Sequence, residues 1–409
     1  MKKNDSVDFE FLILGTDPNA YYMARCVHEA YHKKPYVVGK MPLPFTYYSN
    51  IMHVSYCPLM WDEEAFMKLL LDFAEEHKGK NFLIATNETY GEFISKNAEK
   101  LREYYYFNYP TKEIIETFTN KEKFYQTYQE SSLKFPKTIY LKDKEEIKIP
   151  KDIQFPVIVK PANVVIYNHL SFPGKNKIYK IDNLEKLEQT ISIIREGGYH
   201  DRLIIQEFIP GGDDHLFDAV IYANQDGEVE LMTFAQIGLQ ERTTQMVGNA
   251  AVLINGFNTT EGDVQGQVQI LKEFMESIHY HGFAEVDMKY DPRDNTFKVL
   301  EINARQGRCS YYLAMMGKNL VQVLVDDCVY HKRNDFLLLD QEVLLSFVPK
   351  GVVKKYVSNE KFKSEALRLW NRRVNPMDYP KDYSLKRFLM LRKRGFRYYQ
   401  EYKNSYWRE

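Results

Sequence analysis

The chain has 409 residues, 44% of them apolar and 27% charged, with a net charge of −1. That composition excludes a disordered chain and is long enough for two or three domains, each with its own core. No apolar run approaches the roughly 18–20 residues that span a bilayer, and the N-terminal apolar stretch is too short for a signal-peptide core, so the expected location is cytoplasmic.

Cys26, Cys57, Cys309 and Cys328 are far apart with no C-x-x-C pair, which points to reduced thiols rather than a disulfide framework or a zinc site. The near-zero net charge hides an asymmetry. Residues 384–409 carry eight Lys/Arg and two Glu, a net of +6, leaving −7 for the rest.

From the N-terminus, 9–14 is a short apolar run ending at Gly15, followed by an amphipathic stretch at 20–31 and a strand-like run at 36–38. This is a βαβ pattern. Phe66, Leu69, Leu70 and Phe73 recur at helical spacing within 61–77, Asp62 is placed as an N-cap, and 81–86 supplies another strand. Residues 1–115 therefore read as a doubly wound α/β domain. Ligands in such domains sit beyond the carboxyl ends of the strands, which makes 15–19 and 86–88 candidate pocket loops. A Rossmann dinucleotide site is disfavoured because no G-x-G-x-x-G occurs.

The spacing then predicts a helix over 120–130, an extended segment from 135, and an apolar strand over 155–162 that carries Lys160 near its end, where an ammonium can meet a phosphate. The polar stretch 161–177 has no clear period and reads as a loop that closes over phosphates or as a long hairpin loop. A buried-type strand at 203–209 breaks at Pro210-Gly211-Gly212. Such a break frees backbone groups that can read an adenine edge, although P-G-G is also an ordinary turn. Strands at 216–222 and 229–234 and a helix at 264–279 follow.

The stretch 283–308 carries the densest chemistry. Apolar and polar residues alternate over 283–290 and again over 296–302, around the turn formers Asp291-Pro292-Arg293-Asp294-Asn295, so it reads as a β-hairpin. One face holds Asp287, Lys289, Glu301 and Asn303, and antiparallel pairing can set Asp287 opposite Glu301 and Asn303. Two carboxylates and an amide oxygen suit Mg²⁺, with Arg305 at the edge. The competing reading is an ordinary solvated face.

Asp287 followed fourteen residues later by Glu301-Ile302-Asn303-x-Arg305 resembles the Mg²⁺ signature of the ATP-grasp ligases. Over 119–330 further motifs of that family fall in order. The resemblance implies Lys123 and Lys160 as phosphate-binding lysines, Gln206, Glu207, Phe208 and Ile209 as the adenine hinge, and Asp214 as the ribose contact. It also implies Asp287, Glu301 and Asn303 as ligands of one or two Mg²⁺, with Lys160 and Arg305 acting on the transferring phosphate. The loop after Lys160 is less glycine-rich than in D-alanine ligases.

The fold so implied is α/β (α+β): a pre-grasp α/β domain at 1–115, a small grasp subdomain at 116–205, a large one with the Mg²⁺ site at 206–330, and a C-terminal extension at 331–409. Over nearly the whole length, stretches such as Leu12 to Asp17, Gln206 to Pro210 and Glu301 to Arg308 look most like the D-aspartate ligases of Gram-positive peptidoglycan synthesis.

That narrower resemblance implies activation of the β-carboxylate of D-aspartate by ATP and its transfer to the lysine side-chain amine of UDP-MurNAc-pentapeptide. The alternatives are another ATP-grasp carboxylate–amine ligase with a different acid or amine, and a non-catalytic nucleotide-binding protein. Arg25, Arg242 and Arg308 are all open as the cation for the substrate's α-carboxylate. The tail 385–407 interleaves Lys386, Arg387, Arg392, Lys393, Arg394 and Arg397 with Phe388, Leu389, Phe396, Tyr398, Tyr399, Tyr402 and Trp407. It reads either as a peripheral contact with an anionic membrane or as a helix that packs its aromatics on the body; no nucleic-acid module is expected.

Overall fold

The computed structural model describes residues 8–242 and 248–404. Five parallel strands, β1 (Phe11–Leu14), β2 (Tyr36–Gly39), β3 (His53–Tyr56), β4 (Asn81–Ala85) and β5 (Tyr105–Tyr106), form a sheet in the order β3-β2-β1-β4-β5. β1 and β4 are continuous buried runs because helices cover both faces of a parallel sheet. The helix Glu63–Glu76 starts after Asp62, the expected N-cap, which accepts from the Ala65 N–H at 2.9 Å; the helix Pro18–Tyr31 starts two residues earlier than expected, capped by Asp17, which accepts from the Ala20 N–H at 2.9 Å. Strand order reverses between β1 and β4, so the loops following them open side by side at the switch point.

A second sheet is antiparallel and has the order β6-β9-β7-β8, from β6 (Thr138–Leu141), β7 (Val157–Pro161), β8 (Tyr179–Ile181) and β9 (Leu203–Glu207). Since β9 runs to Glu207, the expected division between 205 and 206 falls inside a strand. The stretch 161–177, read from its missing period as a loop, contains the short helix Val164–His169, which Asn163 caps by accepting from Ile166 N–H.

The third sheet has eight strands. β15 (Thr296–Asn303), β14 (Gly282–Asp291), β10 (Leu216–Ala223), β12 (Ala235–Gln240), β13 (Ala250–Asn255) and β17 (Val343–Ser346) lie in that order, with β11 (Val229–Thr233) on β10 and β16 (Leu337–Leu339) on β11. Two of its strands come from 331–409. That segment is therefore built into the large sheet rather than appended to it, because β17 pairs with β13 over Val252↔Ser346 to Asn255↔Val343.

One apolar core joins Phe11, Tyr21 and Tyr22 of the N-terminal domain to Val220 and Leu253 of the large sheet and to Leu345 and Tyr402 of the C-terminal segment. The other face of the large sheet packs on the helix Val264–Ser277 and on Phe124 and Tyr125 of the helix Lys121–Tyr128. The four-stranded sheet has a separate core of Val157, Val159, Tyr179, Leu187, Ile191 and Ile205. All four cysteines are free thiols. Among the described residues no helix is long and apolar enough to cross a membrane.

Candidate active site

The hairpin forms as its alternation predicts, with Asp287 paired to Glu301 and Glu285 to Asn303. A bulge follows. Asp287 pairs with Glu301 and Met288 with Val299, so Leu300 is the extra residue, and the twist it adds separates the acidic end of the hairpin from the Lys289–Lys298 pair. On the other side of β14, Asp218 of β10 lies opposite Asp287. Three carboxylates, Asp218, Asp287 and Glu301, therefore stand in a row across three strands, with Glu285 and Asn303 in the next row. The Asn303 amide donates to the Asp287 carboxylate at 3.4 Å, and the Tyr312 hydroxyl bonds Asp218 at 3.2 Å.

Burial pushes the Asp287 carboxyl well above its ordinary range, and the charges of Glu285 and Glu301 push it further. Asp218 and Glu285 are also raised, chiefly by burial. Glu301 behaves oppositely: the Lys121 ammonium, ion-paired to it, holds it down at about 2. Asp218, Glu285 and Asp287 thus disfavour one another's charged form, while Lys121 offsets the charge of Glu301. Among the described residues no group of three or more His, Cys, Asp or Glu side chains is placed to hold a metal ion by itself.

The structure brings Lys121 to this cluster and not Lys123. Lys123 is half-exposed, 4.0 Å from Glu116 on the outer side of its helix. Periodicity explains the difference: Lys121 lies three, four and seven residues before Phe124, Tyr125 and Tyr128, on the inward face, whereas Lys123 lies on the opposite one. Asn120 caps this helix by accepting from the Lys123 N–H at 3.0 Å, so the inward lysine is the first helical residue.

Lys160 approaches from the four-stranded sheet. Its ammonium donates to Gln206 Oε1 at 3.0 Å, and Gln206 Nε2 donates to Thr138 Oγ1 at 2.9 Å, fixing the amide. Burial, assisted by the nearby Lys121 charge, lowers Lys160 to about 7. The Glu207 carboxylate is taken by the Lys137 N–H and by Arg293, at 2.8 and 2.7 Å, and the Glu207 N–H donates to Lys137 O at 2.9 Å. The Phe208 ring lies between the ammonium groups of Lys180 and Lys289, at 4.2 and 5.0 Å, with Ile209 buried beside it. Asp214 accepts from Asn359 at 2.7 Å and pairs with His215 at 3.2 Å, which lowers its pKa.

Arg305 closes the other end. It pairs with Glu88 at 2.8 Å and Glu285 at 3.3 Å, and its buried Nε has no partner. The two loops at the switch point meet this segment. Asn19 donates to Thr86 O and Gln306 O, both at 3.2 Å, Gln306 donates to Ala85 O at 2.7 Å, and the Tyr22 hydroxyl donates to Gly307 O at 2.6 Å. A Cβ on Gly307 would fall within 2.0 Å of the Glu285 carboxylate, so any larger residue there would displace Glu285 from its place beside Arg305. Asp17, bonded to Thr86 and facing Arg305, is raised by burial to about 6.

The three arginines left open by the sequence are not equivalent. Arg25 is committed to Glu29 and to the carbonyls of Pro376 and Asp378, stacked between Tyr311 and Tyr379. Arg242 pairs with Asp213 at 3.4 Å. Arg308 pairs with Glu241 through Nη2 at 2.6 Å and stacks on Phe347, while its buried Nε and Nη1 have no hydrogen-bond partner.

Lys121, Asp218 and Glu285 join this cluster without being assigned to it from the sequence, whereas Glu88 lies in the expected pocket loop 86–88. Helix phase was sufficient to find Lys121. Asp218 reaches the site only through long-range pairing.

No protein-family profile matches the chain. The D-aspartate ligase of Enterococcus faecium (strain Aus0004) is 32% identical over 425 aligned positions, covering 99% of each chain. Among solved structures, an L-amino acid ligase from Bacillus licheniformis superposes with a TM-score of 0.54 at 19% identity, over 78% of this chain and 74% of that one. An N5-carboxyaminoimidazole ribonucleotide synthetase in its ADP complex gives 0.61 at 12% identity, over 91% and 87%. The two structures share the fold, and the Enterococcus relative spans the chain from end to end: the protein belongs to the D-aspartate ligase family, ATP-dependent carbon–nitrogen ligases of ATP-grasp fold.

Proposed function

We propose that the protein joins the β-carboxylate of D-aspartate to the lysine side-chain amine of UDP-MurNAc-pentapeptide, with ATP converted to ADP and phosphate. The observation that carries the reading is the convergence of Asp287, Glu301 and Asn303 with cations from three directions, Lys121, Lys160 and Arg305. The end-to-end likeness to the Enterococcus D-aspartate ligase supports the choice of acid.

In this reading the backbone of 206–209 holds adenine beside Phe208, and Asp214 serves the ribose once its contacts with Asn359 and His215 exchange. Asp287, Glu301 and Asn303 would hold one or two Mg²⁺, which would supply positive charge against the phosphates of the nucleotide. Lys121 leaves Glu301 for the phosphates when the nucleotide enters, taking the part the sequence resemblance gives to Lys123. Lys160 meets the same phosphates from the opposite side.

A carboxylate is a poor electrophile, so it first attacks the γ-phosphorus and displaces ADP. The amine then opens the acylphosphate, losing a proton and expelling phosphate. Both steps build negative charge on phosphoryl and carbonyl oxygens, where Arg305 and the two lysines stabilise it. Water competes as nucleophile, so the four-stranded sheet with 161–177 closes over the site before transfer. The substrate's α-carboxylate pairs with Arg308, whose Nε and Nη1 are without partners.

The test is phosphate release from ATP and Mg²⁺ with UDP-MurNAc-pentapeptide, across D- and L-forms of Asp, Glu, Asn, Ala and Ser. D-Asp is expected to be preferred by ~10²-fold or more over Ala and Ser, because neither offers the second carboxylate and the buried cation is left unpaired. Preference for L-Asp or a neutral amino acid would refute the substrate while leaving the ligase class intact.

A further inference from the structure

The C-terminal helix Leu385–Lys403 is docked on the body by one face. Arg387 is 1% exposed, paired with Asp382 at 3.1 Å, stacked 4.2 Å from the Tyr21 ring, and donating to Phe45 O and Tyr47 O. Farther along, the Tyr398 hydroxyl bonds Glu241 at 3.3 Å and the Tyr402 hydroxyl bonds Gln240 O at 2.6 Å. Residues 387, 391, 394, 398 and 402 thus mark the inward stripe at helical spacing.

A surface helix docked this way should be polar on its opposite face, and this one is not. Leu385 (63% exposed), Leu389 (58%) and Phe396 (68%) line its outer crest at i, i+4 and i+11, with Phe388 and Tyr399 on one shoulder. Arg392 interrupts the crest, and Lys386, Lys393 and Arg397 flank it on the other shoulder. The surface continues beyond the helix. Tyr383 and Tyr48 are also exposed, with the Lys386 ammonium 5.9 Å from the Tyr48 ring. Tyr48 sits at φ 58, a left-handed conformation that costs a bulky residue energy, and the neighbouring carbonyls are held by Arg387 and Ser384.

We propose that this face is a docking surface for an anionic lipid bilayer. Aliphatic and aromatic side chains at the crest enter the acyl boundary while the flanking Lys and Arg stay at the level of anionic headgroups. Charge decides between occupants. A second copy would oppose like charges across the contact, and a nucleic acid would leave Leu385, Leu389 and Phe396 in water. The binding is peripheral, and Trp407 lies outside the described residues.

The test is flotation of the full-length protein with vesicles of phosphatidylcholine, alone or mixed with phosphatidylglycerol, at low and high salt. Wild type is expected to float with the mixed vesicles only, more at low salt. L389E/F396E is expected to lose at least ~10-fold of this binding and K386S/K393S several-fold, both with unchanged thermal midpoint and ATP turnover on soluble substrates. Equal flotation of L389E/F396E and wild type would overturn the proposal. So would an absence of wild-type binding to anionic vesicles, whether accompanied by a dimer that L389E/F396E dissolves or by retention on an RNA oligonucleotide that K386S/K393S abolishes.

Discussion

The four-stranded sheet and the eight-stranded sheet face each other across the site, and they are held to the rest of the molecule by different forces. The large sheet shares apolar core with the N-terminal domain and the C-terminal segment, each buried Leu, Ile or Phe worth ~1.5–3 kcal/mol. The four-stranded sheet has a core of its own and reaches the body through Tyr140 of β6, packed against the core of the large sheet, and through the partly exposed ion pairs Arg202–Glu122 and Arg293–Glu207. Exposed pairs contribute ~0–1 kcal/mol each. In the proposed reading the four-stranded sheet is therefore the part that moves, as a lid. Lys160 and Gln206 ride on it, while Lys121, Asp287, Glu301 and Arg305 stay on the fixed frame.

This comparison is most sharply broken on the frame side. Lys121→Ala is expected to reduce kcat/KM for ATP by ~10³ in a phosphate-release assay, and Lys123→Ala to leave it within about two-fold. Equal loss in both would return the phosphate role to Lys123. Arg308→Lys is expected to raise KM for the amino acid by ~10² with KM for ATP unchanged, since a lysine cannot reproduce the fork of the guanidinium. A parallel rise in both constants would mean that Arg308 only braces Glu241 and the fold.

On the lid side, the prediction is one of pH. Lys160 is lowered to about 7 in the free protein, so its ammonium is present below that pH and lost above it. If the charged form binds phosphate, Kd for ATP is flat below pH 7 and rises by up to ~10-fold per pH unit above it, with a proton taken up on binding. Lys160→Arg removes the dependence. Calorimetry in buffers of different ionisation enthalpy measures the proton directly, and a pH-independent Kd in both proteins contradicts the assignment. The smallest effect is at the hinge: Arg293→Gln breaks one lid ion pair and is expected to change KM for ATP by only about two- to five-fold.

The same division governs what is legible in the sequence. The βαβ domain and the 283–303 hairpin are local patterns, set by apolar runs, N-caps and period-two alternation, and they form where the residues predict. β12 and β13 are buried along nearly their full length and show no alternation to mark them. β17 joins the large sheet across some 90 residues of chain, a pairing invisible to local pattern, which is why 331–409 reads as an appendage. At the site, Glu301 and Asn303 are legible from motif and alternation. Glu88 falls in a pocket loop legible from the βαβ pattern, but its pairing with Arg305 across the chain is not.

The central claim is that the site makes an acylphosphate from the side-chain carboxylate of aspartate, and an isotope tests it most directly. With D-aspartate carrying ¹⁸O only in its β-carboxylate, the released inorganic phosphate is predicted to contain one ¹⁸O atom per turnover, because the attacking oxygen stays with phosphorus when the amine opens the intermediate. Phosphate free of label, released while the amide bond forms, would contradict the account.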